Sequence, residues 1–117
     1  MMLARRSFLS LAAAAAPAPH RASAQAYPSR PVRIIVPFVP GGSTDVVARL
    51  VAQRLYASLG QQFYIENHGG AGGNIGISMA AGSPADGYTL LVISNSFIIN
   101  PSLYNKVPYD AAKDFAA

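Results

Sequence analysis

Residues 32–50 read VRIIVPFVPGGSTDVVARL, a β-branched run that passes through a Pro/Gly turn directly into residues of helical spacing. From Val32 to Phe38 only Arg33 is charged, which predicts a strand covered on both faces, as in a parallel sheet. From Thr44 the period changes. Val47, Val51, Leu55 and Leu59 recur at four-residue steps beside Val46 and Leu50, while Arg49, Gln53 and Arg54 fall on the other side. That stripe predicts an amphipathic helix with an apolar face, and Gly60 predicts its end.

Outward from this unit the alternation continues. A second strand is expected over Phe63 to Glu66, then a loop Asn67-His68-Gly69-Gly70-Ala71-Gly72-Gly73 and a short helix near Asn74 to Ala81. Ser83-Pro84-Ala85-Asp86-Gly87 carries turn chemistry, and Tyr88 to Ile93 is another continuous apolar run. The pattern β-α-β-α-β predicts an α/β fold with parallel strands and right-handed crossovers. Asn100-Pro101 reads as a turn, Pro101 to Ala117 as polar and turn-rich, and Tyr88, Tyr104 and Tyr109 as packing residues. Three strands and two helices would leave one sheet edge exposed and one face incompletely covered, as at the front of a longer protein.

The first 26 residues have the order of an export signal. Arg5 and Arg6 precede the apolar stretch Phe8 to Ala16, and Ala22-Ser23-Ala24 or Ala24-Gln25-Ala26 supplies small residues for cleavage. Arg5-Arg6-Ser7-Phe8-Leu9 also fits a twin-arginine signal, so either export route is open. Pro17 and Pro19 break the stretch well short of the roughly 20 residues that a spanning helix needs. The expected division is therefore a signal over 1–26 and one incomplete lobe over 27–117, with a periplasmic destination.

Beyond the signal, six basic residues stand against five acids, a net charge near +1. They neither cluster nor alternate with aromatics, which argues against a nucleic-acid partner. The chain has no cysteine, and its two histidines are His20, inside the signal, and His68. No metal site, nucleophile–base pair or cofactor is expected from such a set, nor is an enzyme.

Ligands of open parallel sheets bind beyond the carboxyl ends of the strands, where three loops meet in this reading. In the first, Gly41 and Gly42 let backbone N–H groups turn inward. The helix start adds unpartnered donors, and Ser43 and Thr44 add hydroxyls. Alternatively Ser43 or Thr44 caps the helix and Asp45 complements its dipole. The second loop, HGGAGGNIG, fails the dinucleotide register because Ile75 stands where a third glycine is required, and it lacks the ending of a phosphate-binding P-loop. Its glycines, with Gly72 and Asn74 foremost, suit a small anionic or polar group, or simply a flexible connection. His68 reads as a solvated side chain, with a ligand contact or a base as the alternative. Ser94, Asn95 and Ser96 leave the third apolar run as ligand donors or turn formers.

PVRIIVPFVPGGSTDVVARLVAQRL, GGAGGNIG, ADGYTLL and NPSLYNKVPYDAAKDFA, in that order behind a signal, resemble the tripartite tricarboxylate transporter substrate-binding proteins, the Bug-type solute receptors. The resemblance spans about residues 26–117. It implies part of lobe one of a two-lobed, type II-like periplasmic binding protein. It further implies a small organic carboxylate ligand, a di- or tricarboxylate or a related compound such as an amino acid or nicotinate-like acid, delivery to membrane permease subunits, no cofactor, and a monomer. The family's carboxylate grip carries over to Phe38 through Asp45, with Ser43, Thr44 and Asp45 matching its motif. Val39 departs from a usual proline, and His68-Gly69 from a usual Arg-Pro. A truncated product without binding activity, or part of an α/β enzyme domain, are the alternatives.

Overall fold

The computed structural model describes residues 26–117, so the signal expected over 1–26 lies outside it but for Ala26. Strands β1 (Val32–Val36), β2 (Phe63–Asn67) and β3 (Thr89–Leu91) form one parallel sheet in the order β2-β1-β3. Ile34 stands opposite Ile65 on one side and Leu90 on the other. Helix α1 (Ser43–Leu59) joins β1 to β2; a 3-10 turn (Ala71–Gly73) and α2 (Asn74–Ala81) lead to β3; α3 (Ser96–Leu103) follows. The expected α/β class and parallel pairing are those observed. Pairing of the third run reaches past its regular strand, since Arg33 N–H donates to the Tyr88 carbonyl at 2.9 Å and Val92 N–H to that of Ile35 at 3.0 Å.

Both faces of β1 are buried. Val32, Ile34 and Val36 meet Ala48, Ala52 and Phe63 on the α1 side, whereas Ile35, one residue out of phase, points to the side of α2 and Ile77. The buried face of α1 differs from the expected stripe. Ala48 and Ala52, with Leu55 partly buried beside them, form it, while Val46, Val47, Leu50, Val51 and Leu59 are exposed, Val47 and Leu50 by more than half. The physical reason is distance: alanine lets the helix approach the branched residues of β1, whereas a row of valines and leucines would hold it off. The helix end is as expected, with Gly60 in the left-handed conformation at φ 74°.

Helix α2 comes close to β1 in a way that only glycine permits. A Cβ on Gly76 would stand 2.5 Å from Pro37 Cβ and 2.7 Å from Pro37 Cα, where β1 ends. Contact at that distance leaves no rotamer to relieve it.

The segment expected as loop and turn over Ser94–Pro101 is instead largely helical, because α3 continues through Asn100 and Pro101. Proline inside a helix removes the donor for the carbonyl four residues earlier, here that of Phe97. The Tyr109 hydroxyl donates to that carbonyl at 3.0 Å, and its ring stacks on Phe97 with centroids 5.4 Å apart. Burial raises the Tyr109 phenol above its ordinary pKa, so it stays a donor. The distant tyrosine thus supplies what the helix lost. Tyr88 and Tyr109 are packed as expected, but Tyr104 is exposed.

At the opposite end of the sheet, Tyr27 donates through its hydroxyl to the Gly87 carbonyl, and Arg30 lies 3.8 Å over the Tyr88 ring while pairing with Asp86 at 3.0 Å. These contacts tie the linker to the turn before β3.

Replacing Gly76 with alanine is expected to destabilise the fold by about 1–3 kcal/mol, read as a lower denaturation midpoint. Tyr109→Phe, which keeps the stack and removes only the donor, should cost about 1 kcal/mol in the same measurement.

Candidate ligand-binding site

Because the three strands are parallel, the loops after β1, β2 and β3 emerge on one side. They also touch. A Cβ on Gly73 would lie 3.5 Å from the Phe38 ring and 3.6 Å from Ser96 Oγ, so one residue from each loop meets at that point. Gly73 itself has φ 96°, Gly72 φ 67° and Gly41 φ 91°, left-handed conformations that open the backbone there.

At the start of α1, Gly42 is the N-cap and no side chain caps the helix, so neither Ser43 nor Thr44 plays the capping role that sequence left open. Val46 N–H bonds the Gly42 carbonyl at 3.0 Å. The N–H groups of Ser43, Thr44 and Asp45 precede that first bond and have no intrahelical acceptor. Ser43 is exposed and Thr44 half-buried. Three amides, two hydroxyls and the positive end of a 17-residue helix therefore share one small region.

Asp45 does something different from the ligand contact expected of it. Only 3% of it is exposed, and its carboxylate is taken up inside the protein. One oxygen accepts from Asn67 Nδ2 at 2.9 Å; the other accepts from Gly41 N–H at 3.0 Å and Arg49 Nε at 3.0 Å. A carboxylate held this way has no need of a ligand and would repel an anionic one. The Asn67 amide, the Gly41 amide and the Arg49 guanidinium, in that order, hold its pKa down to about 2.

The second and third loops are fastened by a residue that sequence assigned to a turn. Buried Asn100 donates through Nδ2 to the Gly72 carbonyl and to Asn74 Oδ1, both at 2.9 Å. That leaves Asn74 its own amide N–H groups as donors. Ser94 and Ser96 hydroxyls lie 3.2 Å apart, and Asn95 is exposed at the start of α3. The glycine loop is thus a turn anchored to α3 and is more than a flexible connection. His68 is half-buried and faces Glu66 at 3.1 Å, on the same oxygen that Arg33 approaches at 3.4 Å, so it belongs to a charge cluster where a solvated side chain was expected.

Sequence reasoning missed Asn67, Arg49 and Asn100. Arg49 was legible in part, being four residues beyond Asp45 on one helix face. A groove of about 510 Å³ lies beside the glycine loop, lined by Ala71, Ile75, Met79, Tyr104 and Lys106 among others, and takes in only Asn74 of the expected residues. Among the described residues no group of three or more His, Asp or Glu could hold a metal, and no helix is long and apolar enough to cross a membrane.

The parallel α/β fold accords with what the chain is similar to. The family described as tripartite tricarboxylate transporter family receptor matches residues 47–117. The chain belongs to that family. It is 49% identical over 109 residues to protein BugT of Bordetella pertussis, covering 92% of this chain and 32% of the relative. The solved structure of the periplasmic binding protein BugD superposes with a TM-score of 0.73 at 44% identity, over 76% of this chain and 30% of that one. R. palustris Rpa4515, solved with adipate, gives a TM-score of 0.71 at 44% identity, over 74% and 29%. The chain spans about a third of the length of these relatives. The family is one of solute-binding receptors and not of enzymes.

The low Asp45 pKa fixes a pH dependence. A carboxyl whose folded pKa lies near 2, below the ordinary 3.8, stabilises the fold fully above about pH 4 and loses that contribution as pH falls through 2. Acid titration of the unfolding midpoint should fall steeply across this window in the wild type and less steeply in Asp45→Asn.

Proposed function

We propose that residues 27–117 form one wall of the ligand cleft of an exported, periplasmic receptor. The receptor captures a small organic carboxylate and hands it to the permease subunits of a tripartite membrane transporter. The observation that carries this reading is the uncapped start of α1, where three backbone amides and the Ser43 and Thr44 hydroxyls stand beside Gly41 and Gly42. Phe38, Gly73 and Ser96 come together where the three loops meet, and in this reading Gly72, Asn74, Ser94 and Asn95 complete the wall. Support for the ligand class comes from the adipate in Rpa4515, a dicarboxylate. The protein acts as a monomer in this reading, without cofactor or nucleic acid.

Magnitudes are compatible. A hydrogen bond to a charged group contributes about 1.5–3 kcal/mol net, so three or four reach the roughly 8 kcal/mol of micromolar binding. Closure of an opposing lobe and desolvation subtract from this. A wall without its opposite should bind more weakly than a whole cleft.

Thermal shift against adipate, malate, citrate and a set of nucleotides is the direct test. Stabilisation by a carboxylate and by no nucleotide is expected, and the reverse result would sink the reading. Ser43→Ala should weaken carboxylate binding by about tenfold or more, measured by calorimetry; unchanged affinity would leave that hydroxyl outside the site.

A further inference from the structure

We infer that Asn67 and Asp45 are positioning residues that hold the ligand loop in its binding shape before any ligand arrives. The inference rests on the carboxylate site proposed above and assigns roles to two side chains that need not touch the ligand.

The loop from Pro37 to Gly42 is fixed at one end by β1 and at the other by α1. Between them it has little regular bonding of its own, and Gly41 and Gly42 give it wide conformational freedom. Two cross-links remove that freedom. Asn67, the last residue of β2, sends its Nδ2 to the Phe38 carbonyl at 3.2 Å and to Asp45 Oδ1 at 2.9 Å. Asp45 in turn accepts from Gly41 N–H at 3.0 Å through its other oxygen. The start of the loop is thereby tied to the neighbouring strand and its middle to the helix, through one amide and one carboxylate that bond each other.

The arrangement also dictates which way the loop's amides point. Gly41 N–H is turned inward to Asp45, so it is withdrawn from the ligand side, and the amides of Ser43, Thr44 and Asp45 remain for an anion. The charge of Asp45, which would oppose an anion at the helix start, is offset by Arg49 Nε at 3.0 Å. Arg49 Nη2 reaches toward Asn67 Oδ1 at 3.5 Å and closes the ring of three side chains. Ordering a loop beforehand spares that entropy at the moment of binding.

Amide hydrogen exchange of the whole chain tests this without reference to ligand. Gly41 N–H should be protected to a degree comparable with His68 N–H, which bonds the Val36 carbonyl at 2.9 Å. Exchange of Gly41 at the rate of an open loop in the wild type overturns the proposal before any variant is made. In Asn67→Leu, of similar size but without the amide, Gly41 exchange should rise about tenfold or more while β1 protection is kept, and adipate affinity should drop about tenfold. Unchanged Gly41 exchange in a folded Asn67→Leu also overturns it. The two readings fail separately: absence of adipate binding in the wild type counts against the carboxylate site, whereas the exchange result decides the positioning role alone.

Discussion

Strand β1 serves both of its neighbours, and the position of every loop at the binding edge follows from that. On one side the Val36 carbonyl accepts from His68 N–H at 2.9 Å; on the other the Ile35 carbonyl accepts from Val92 N–H at 3.0 Å. The last bonds of both ladders thus fall within two residues of each other, and the chain leaves all three strands at the same level. With β1 at an edge, its own loop would lie beside only one of the other two and about 10 Å, two strand spacings, from the farther one. Its central place in turn requires apolar cover on both faces, which Val32, Ile34 and Val36 meet with α1 and Ile35 meets on the side of α2.

The two helices obtain their close approach by opposite means. Helix α1 uses Ala48 and Ala52 along its length, and α2 uses the single Gly76 against Pro37. The second contact matters more for the site, because Pro37 begins the ligand loop and Asn74 begins α2. Anything that pushed α2 away from Pro37 would move Gly72, Gly73 and Asn74 with it. Packing and loop geometry are here one constraint.

Much of this was legible in the chain's pattern, and the failures share a cause. The strands, α2 and the Gly60 stop follow from local signals: β-branched runs, Gly/Pro punctuation and spacing. Helix α1 was located correctly but turned wrongly, because hydropathy weights valine and leucine above alanine while packing against a branched strand rewards the smaller residue. Helix α3 was missed because Pro101 argues against a helix, and the compensating donor, Tyr109, lies eight residues further on. Asp45 was expected to contact a ligand, and its carboxylate is instead bonded within the protein. Its partners Gly41 and Arg49 are near in sequence, but the decisive one, Asn67, arrives from the next strand. Long-range polar partners leave no periodic trace, so the apolar framework can be read from one sequence more readily than the hydrogen bonds that shape its loops.

A buried negative charge beneath an expected anion site needs a physical account. An aspartate at the start of a helix interacts favourably with the dipole that would otherwise serve the ligand, so it competes for the same partial charge. Three features limit the competition. The carboxylate is turned away from solvent, its three donors absorb most of its field, and one donor, Arg49, carries a full positive charge on an exposed side chain. In the proposed site an anion would meet a carboxylate paired with Arg49, together with the amides of Ser43, Thr44 and Asp45. Removing Arg49 while keeping Asp45 would therefore leave more negative charge beneath the site than removing both, because the two side chains act as a pair whose separate losses do not add.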